Sequence, residues 1–163
     1  MRKLITTALL SAGLCLFAVL PIAAQSISVG GGVGYGSESE DLNFQVNAYY
    51  GFENLPLRIG GDVGYSEPED NLTQIEGNVN LHLMAIDSDL LSLYGITGLN
   101  VVHLRFSFND ITETETDTGI NLGAGAEFDL GIGRAFGEAK YILGSDREEQ
   151  LVLGAGIRVS ISN

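Results

Sequence analysis

The two histidines are the residues of this chain best suited to acid–base chemistry near neutral pH. His103 precedes Ser107 by four residues and comes just before an acid-rich segment, so a Ser–His–acid site would have to draw on these residues. His82 lies in a run of alternating polar and apolar residues, where a packed histidine is more common than a ligand. The single cysteine, Cys15, lies in an apolar N-terminal run, so the rest of the chain has no thiol nucleophile.

A glycine-rich stretch, Gly30–Gly36, reads G-G-G-V-G-Y-G and superficially looks like a phosphate-binding loop. It fails the G-x-G-x-x-G spacing, because Tyr35 and Ser37 stand at the third-glycine positions. No helical pattern follows it, and such loops bind phosphate at the start of a helix. No group of residues has metal-ligand spacing either. The sequence therefore predicts a non-enzymatic protein with no catalytic residues, no cofactor and no metal.

The N-terminus has the pattern of a secretory signal peptide. Arg2 and Lys3 precede an apolar run that ends at Leu20, and Ala24 is a small residue suited to cleavage. An uncleaved membrane anchor is the alternative. Cys15 follows Leu14, where a lipoprotein signal has a small residue, so lipidation is not expected. We predict a cleaved signal peptide over residues 1–24 and a single domain over residues 25–163.

The charge balance is strongly acidic. The chain has 8 lysines and arginines against 21 acids, and loss of Arg2 and Lys3 with the signal brings the net charge to about −15. Such a chain is not expected to bind nucleic acid or to dock on anionic phospholipid.

After residue 25 the chain repeats an alternating run of about ten residues followed by a polar break. The eight runs are Ser26–Gly36, Asn43–Phe52, Leu57–Ser66, Thr73–Ile86, Leu91–Leu104, Gly119–Leu130, Arg134–Gly144 and Gln150–Ser162. Breaks after odd runs are longer and more acidic than those after even runs. An even number of antiparallel strands can close into a barrel, and eight strands leave an interior that side chains just fill. An open sandwich is the alternative.

The two faces of these runs differ in a way that predicts their surroundings. In Thr73–Ile86, Ile75, Leu81 and Leu83 share one face, and Glu76 and His82 share the other. Glycines crowd the charged face, where they would suit a narrow barrel interior better than a water-facing sheet. We therefore predict that the apolar face contacts lipid. The predicted charge network of the lumen comprises Arg58, Asp62, Glu76, His82, Glu127, Asp129, Glu138, Lys140 and Arg158.

Aromatic residues of the apolar face lie near the run ends and predict two girdles at the membrane interfaces. One girdle comprises Tyr35, Phe44, Tyr65 and Tyr141, and the other Tyr50, Phe52 and Phe128. In the fifth run, Leu93 and Leu99 compete with Ile96 and Val102 for the lipid-facing side. We expect a bulge in that strand to reconcile the two sets.

The strand pattern, Pro56–Tyr65 (P-L-R-I-G-G-D-V-G-Y), Gly137–Tyr141 (G-E-A-K-Y) and the closing L-G-A-G-I-R-V-S-I-S resemble the small outer-membrane β-barrel family, of the OmpX/OmpA-like eight-stranded type. The resemblance covers essentially all of residues 25–163. It implies an all-β, eight-stranded antiparallel up-and-down transmembrane barrel in the outer membrane of a diderm bacterium, placed there by the outer-membrane assembly machinery. Such barrels usually end in an aromatic residue, whereas this chain ends in I-S-N.

With the N-terminus inside, the odd breaks become acidic extracellular loops. Their acids are Glu38, Glu40, Asp41, Glu67, Glu69, Asp70, Asp110, Glu113, Glu115, Asp117, Asp146, Glu148 and Glu149. We expect a monomer in outer-membrane lipid with a structural or surface-interaction role. The acids are expected to form a solvated rim, and a second hypothesis is that they bind divalent cations that bridge to lipopolysaccharide phosphates. The alternatives are a narrow porin-like channel and a soluble periplasmic lipocalin-like barrel that binds an apolar ligand.

Overall fold

The computed structural model describes residues 26–37, 42–69, 71–108, 111–144 and 149–161. Eight antiparallel strands form one closed barrel in sequence order. The strands are β1 (Ser26–Gly36), β2 (Leu42–Gly51), β3 (Leu57–Glu69), β4 (Leu72–Asp87), β5 (Leu91–Phe108), β6 (Ile111–Asp129), β7 (Arg134–Gly144) and β8 (Gln150–Ser160). The predicted fold class and strand number are confirmed. The predicted signal peptide, Ser162 and Asn163 lie outside the described residues.

The barrel closes because β1 pairs with both β2 and β8. Ser28 lies opposite Tyr49 on one side and opposite Ser160 on the other. Closure leaves the first and last strands without a free edge, and this is the condition under which a sheet can lie in hydrocarbon.

Short turns connect the strands at the end of the barrel where the described chain begins. Between β6 and β7, the Leu130 N–H donates to the Gly133 carbonyl at 2.8 Å, and Gly131 adopts a φ of 82°. Glycine reaches this left-handed conformation without a steric penalty.

At the opposite end the strands are joined by 5, 2, 2 and 5 residues, against 5, 3 and 4 at the short-turn end, so the prediction of longer loops there is wrong. The long breaks of the sequence are instead taken up by strands that extend beyond the rest of the barrel. Because the chain between neighbouring spanning segments is longer there when these extensions are counted, we call this end the long-connection end.

The acidic segment between the fifth and sixth runs is not the loop that we predicted. β5 continues to Phe108 and β6 starts at Ile111, so the predicted run boundaries at Leu104 and Gly119 are wrong. Alternation explains the difference, because T-E-T-E-T-D-T places a β-branched residue at every second position and so favours a strand. The register is continuous from Val102↔Asp117 to Phe108↔Ile111. Glu113, Glu115 and Asp117 therefore belong to a projecting hairpin.

Residues of β5 alternate between the two faces of the sheet without interruption, so the predicted bulge in this strand is wrong. Leu93 and Leu99 point outward, while Ile96 and Val102 are buried in the interior. The register shift lies in the neighbouring strand instead, between Met84 and Ile86 of β4. A second shift separates Ser66 from Glu69 in β3.

The outer surface is an apolar belt. Its exposed aliphatic residues are Ile27, Val29, Val33, Val46, Ile59, Val63, Ile75, Val79, Leu81, Leu83, Leu93, Leu99, Val101, Ile120, Leu122, Leu151, Leu153, Ile157 and Val159. The interior holds buried charged and polar groups, the reverse of a water-soluble protein. This arrangement contradicts the lipocalin-like alternative, which needs its apolar face inside. No helix in the described part of the chain is long and apolar enough to cross a membrane.

Two leucine-to-arginine substitutions test whether the belt contacts lipid. Leu81 lies midway along β4, whereas Leu90 lies in a short turn, and both are exposed. An arginine costs about 2–4 kcal/mol at the bilayer midplane and about 0–1 kcal/mol near an interface. We expect Leu81→Arg, but not Leu90→Arg, to lower the free energy of unfolding by that larger amount in urea titrations in phospholipid vesicles. Equal losses would contradict a lipid-facing belt.

Candidate functional site

Arg158 of β8 has contacts with four other strands in the interior. Its Nη1 lies 2.6 Å from Glu127 Oε1, and its Nη2 lies 2.6 Å from Glu138 Oε1. Its Nε donates to Asn47 Oδ1 at 3.0 Å, and Nη1 also donates to the Tyr94 hydroxyl at 2.9 Å. The Tyr94 hydroxyl in turn donates to Glu138 at 2.9 Å. Every side chain in this group is buried, and each charge has an opposite partner, the condition under which charges can be buried at all.

Arg58 extends this ion cluster toward the short-turn end of the barrel. Its Nη1 donates to both oxygens of Glu127, at 2.9 and 3.1 Å. A vestibule of about 870 Å³ opens between the short turns, and Arg58, Glu127 and Arg158 contribute to its walls. The vestibule therefore reaches the ion cluster from one end of the barrel.

Aromatic rings and guanidinium groups are layered across the interior beside this cluster. The Arg158 guanidinium lies 4.0 Å from the Phe136 ring centroid and 4.6 Å from that of Tyr49. The His82 ring lies 4.3 Å from Tyr49 and stacks on Tyr94 at 4.5 Å. The Arg58 guanidinium also lies over the Tyr94 ring, 5.2 Å from its centroid. Cation–π and stacking contacts thus join six side chains into one layered group that occupies the lumen.

Glycines directly across from the large rings make this filling possible. The paired positions are Tyr49↔Gly60, Tyr94↔Gly125 and Phe136↔Gly156. A Cβ added at Gly60 or Gly125 would lie within about 2.6 Å of the opposing ring, and one at Gly156 would lie 2.7 Å from Phe136. The glycines of the charged face therefore have a specific use, which is to let a ring lie flat against the neighbouring strand.

A second polar cluster, rich in asparagine, lies on the other side of the rings. Asp62 accepts hydrogen bonds from Asn78 at 2.6 Å and Asn80 at 3.0 Å, and Lys140 Nζ lies 3.5 Å away. Asn121 donates to the side-chain oxygens of Asn78 and Asn80 at 2.7 and 2.9 Å. Glu76 accepts from Asn100 at 2.6 Å and from Asn78 at 3.1 Å. Amide side chains both donate and accept, so they can connect buried carboxylates that outnumber the cations.

The structure brings most of the predicted lumen residues together. Buried within the barrel are Asp62, Glu76, His82, Glu127, Glu138, Lys140 and Arg158, with Arg58 nearly so. Asp129 is the exception: it is exposed at the end of β6, and its Oδ1 accepts a 2.6 Å hydrogen bond from the Gly131 N–H. The predicted charge network did not include Tyr49, Tyr94 or the four asparagines. Their positions along the strands could have shown that they lie inside, since all of them share the charged face.

The predicted aromatic girdles are placed unevenly. Tyr35, Phe44, Tyr65 and Tyr141 are exposed on the outer surface near the long-connection end, and Phe128 is exposed near the other end. Tyr50 is only 9% exposed, because its ring packs edge-on against Phe52 at 5.1 Å. Its strand position points outward as predicted, but the contact with Phe52 leaves little of its ring uncovered.

The one candidate hydrolytic combination is not assembled among the described residues. His103 Nδ1 lies 2.9 Å from Thr116 Oγ1 on the exposed outer face. Ser107 lies four residues further along the same strand, about 13 Å away at the usual rise per residue. Glu113, Glu115 and Asp117 alternate with the threonines and so point to the opposite face. No group of three or more His, Cys, Asp or Glu side chains able to hold a metal occurs in the described ranges.

Two glycine-to-alanine substitutions test the ring-over-glycine packing. Gly125 faces the Tyr94 ring, whereas Gly137 points outward and an added Cβ there would meet nothing within 4 Å. Overpacking a filled interior costs about 1–3 kcal/mol. We expect that loss in the free energy of unfolding for Gly125→Ala and no loss for Gly137→Ala, measured by tyrosine fluorescence because the chain has no tryptophan. A neutral Gly125→Ala variant would contradict the close packing.

Substitutions of His82 test what the imidazole contributes. Its two ring nitrogens have no hydrogen-bond partner among the described residues. A phenylalanine would keep the stack between Tyr49 and Tyr94, and would remove two buried polar atoms that each carry a desolvation penalty. We expect His82→Phe to leave stability unchanged or to raise it by about 1 kcal/mol, and His82→Ala to lower it by about 3 kcal/mol. Equal losses in the two variants, measured by the same urea titration, would show that the ring nitrogens make a stabilising contact.

Solved barrels with this architecture include proteins of different activity. The N-terminal β-barrel domain of Pseudomonas aeruginosa OprF matches with a TM-score of 0.65 at 15% identity, over 82% of this chain and 97% of that one. Ail, the attachment invasion locus protein of Yersinia pestis, matches with a TM-score of 0.53 at 20% identity, over 83% and 97%. The outer membrane enzyme PagL matches with a TM-score of 0.51 at 12% identity, over 85% and 100%. At these identities the likeness shows the fold alone.

Sequence similarity shows the family of the chain as well as its fold. No curated protein matches the chain. The profile of the family described as "Outer membrane protein beta-barrel domain" matches residues 9–141, most of the chain. Together with the closed eight-stranded barrel and its apolar outer belt, this match places the protein in the outer membrane of a Gram-negative bacterium. The chain belongs to the outer membrane protein β-barrel domain family.

Proposed function

We propose that this outer-membrane barrel is a non-conducting, non-enzymatic protein that acts through the surface at its long-connection end. In this proposal the barrel is a rigid, monomeric support in outer-membrane lipid, and the strands that extend beyond it interact with partners outside the cell. The short turns face the periplasm and the long-connection end faces outward, as is usual for barrels of this kind.

The observation that carries the proposal is the filled interior. Tyr49, His82 and Tyr94 lie in contact across the lumen, with Arg158 and Arg58 against the outer rings of that group. His82 is 0% exposed and Arg158 only 2% exposed, so water does not reach the centre of the barrel. An interior packed in this way supports the proposal that no solute passes through the barrel. It argues against the alternative of a narrow porin-like channel.

The absence of enzymatic activity is also part of the proposal, because a barrel of this fold, PagL, is an enzyme. What supports it is the placement of His103, whose described partner is the Thr116 hydroxyl. A threonine hydroxyl cannot orient and charge-stabilise an imidazolium as a carboxylate does. The nearby acids of β6 face the other way, and Ser107 is too distant for a hydrogen bond.

The surface role draws support from the part of the barrel that projects. β5 and β6 are the longest strands, and their hairpin carries exposed acids on one face and exposed threonines on the other. The name of Ail concerns attachment and invasion, so a barrel of this architecture can act at a cell surface. We propose that carboxylates at this end, such as Glu67 and Glu113, also bind divalent cations that bridge to lipopolysaccharide phosphates.

Planar-bilayer recordings test the non-conducting interior. We expect the purified protein to give no steady conductance steps, because the layered rings and ion pairs leave no continuous water path. A Tyr49→Ala/His82→Ala/Tyr94→Ala variant removes the rings and should show steps, provided that it migrates as a folded barrel on unheated gels. Steps of the same size from the unaltered protein would refute the proposal. A single Tyr94→Phe variant, which keeps the ring, serves as the matched control and should stay silent.

A further inference from the structure

β6 extends further than the strand on one of its sides. It pairs with β5 along its whole length, up to Phe108↔Ile111, but its pairing with β7 begins only at Gly119↔Gly144. Within the described ranges, the segment Thr112–Asp117 thus has a strand neighbour on the β5 side alone. We call this segment the β6 edge. In an antiparallel ladder every second residue directs its N–H and C=O to the same side, so the β6 edge offers a row of backbone groups to a further strand.

The β6 edge is protected from pairing by charge alone, and its charges are all negative, so they would repel an acidic strand but attract a basic one. It contains no proline and no lysine, and its register against β5 runs from Val102↔Asp117 to Ser107↔Thr112 without a bulge. Edge strands of proteins that avoid association are usually short, bulged or interrupted by such residues. The hairpin is also held in shape, because His103 and Thr116 are linked across the pair at 2.9 Å. A regular, exposed edge that only acids protect suits the addition of a strand that carries cations.

The side chains of the β6 edge define what kind of strand fits. Glu113, Glu115 and Asp117 share one face, and Thr112, Thr114 and Thr116 share the other. Residues 112 to 116 are all exposed, whereas Asp117 is buried, so Glu113 and Glu115 are the acids of the β6 edge that an added strand can reach. A strand added beside the edge would place its own side chains about 5 Å from these residues, face to face. Lysine or arginine at every second position would pair with the acids, and β-branched or hydroxyl residues between them would meet the threonines.

We propose that the β6 edge binds an extended basic segment of a partner protein by β-strand addition. The backbone ladder supplies affinity, and the row of acids selects lysine or arginine at alternate positions of the partner. A second copy of this chain in the same membrane is not the expected occupant. The two β6 edges would run in the same direction with their faces inverted, so the threonines of one copy, and no cations, would lie beside the acids of the other. The inference rests on the proposed surface role, since it requires this end of the barrel to face outward.

The first test measures binding of a defined peptide to the full chain in phospholipid nanodiscs. The probe is an acetylated and amidated peptide of alternating threonine and lysine, T-K-T-K-T-K-T. We expect Glu113→Gln/Glu115→Gln to weaken its binding at least tenfold. The matched control, Glu53→Gln/Asp89→Asn, removes two exposed acids at the short-turn end and should change binding less than twofold. Equal weakening in the two variants would overturn the proposal, because the peptide would then follow net charge alone.

The second test asks whether backbone pairing takes part. Two forms of the probe carry N-methyl groups on alternate residues, one form on the lysines and the other on the threonines. In an added strand only one of these sets faces the β6 edge, so one form should lose binding and the other keep it. Hydrogen exchange should slow at amides within Thr112–Asp117 when the unmodified probe binds. Equal binding of the two methylated forms, or exchange that does not change there, would overturn strand addition.

The outcomes separate this inference from the proposed function. A barrel that is silent in planar bilayers but does not bind the probe leaves the non-conducting barrel standing and refutes the β6 edge as a site. A conducting barrel that binds the probe at the β6 edge refutes the non-conducting barrel and supports the β6 edge as a site. Concentration-dependent self-association of the unaltered chain that the probe competes with would identify a second copy as the occupant, and would also refute the proposal.

Discussion

The narrowness of an eight-stranded barrel is the constraint on which the rest of this structure depends. The interior has room for side chains but for no separate core, so every group inside must fit and must find a partner among the others. Large rings fit only where the facing strand has a glycine, as at Tyr49 with Gly60 and Tyr94 with Gly125. Charges fit only where opposite charges or amides meet them, as Arg158 meets Glu127 and Glu138. The same residues thus meet both the steric and the electrostatic requirements of the interior.

This constraint explains why the protein is inverted relative to a soluble one. A filled and mostly polar interior leaves most aliphatic residues to the outer surface, where Leu81, Leu99 and Ile157 are exposed. Such a surface is stable only in lipid, and lipid in turn demands that the backbone be paired all the way round. The polar lumen therefore leads to the apolar belt, and the belt in turn requires that the strands close into a barrel. The projecting hairpin, which rises beyond the belt, is free of that requirement.

Much of this could be predicted from the sequence, because successive side chains of a strand point to opposite faces. The alternation of polar and apolar residues therefore shows which residues share a face. Alternation places Glu76, His82, Glu127 and Arg158 inside, and the structure has them there. The alternation could not predict which of them touch, because the partners of Arg158 lie on β2, β5, β6 and β7 and their contact depends on the register of the whole barrel. It was also inconclusive for β5, where Ile96 and Val102 fill apolar space inside while Leu93 and Leu99 face outward. Composition misled at the acidic hairpin, since a run of glutamates suggests a loop but threonine at every second position makes a strand.

The position of Arg158 in the final strand has a consequence for how the barrel is made. Its carboxylate partners lie on β6 and β7, and its other contacts on β2 and β5. A sheet without β8 would lack this guanidinium, and burying carboxylates that are short of an opposite charge costs several kcal/mol. Addition of the last strand therefore completes the charge balance of the interior at the same step that closes the backbone ladder.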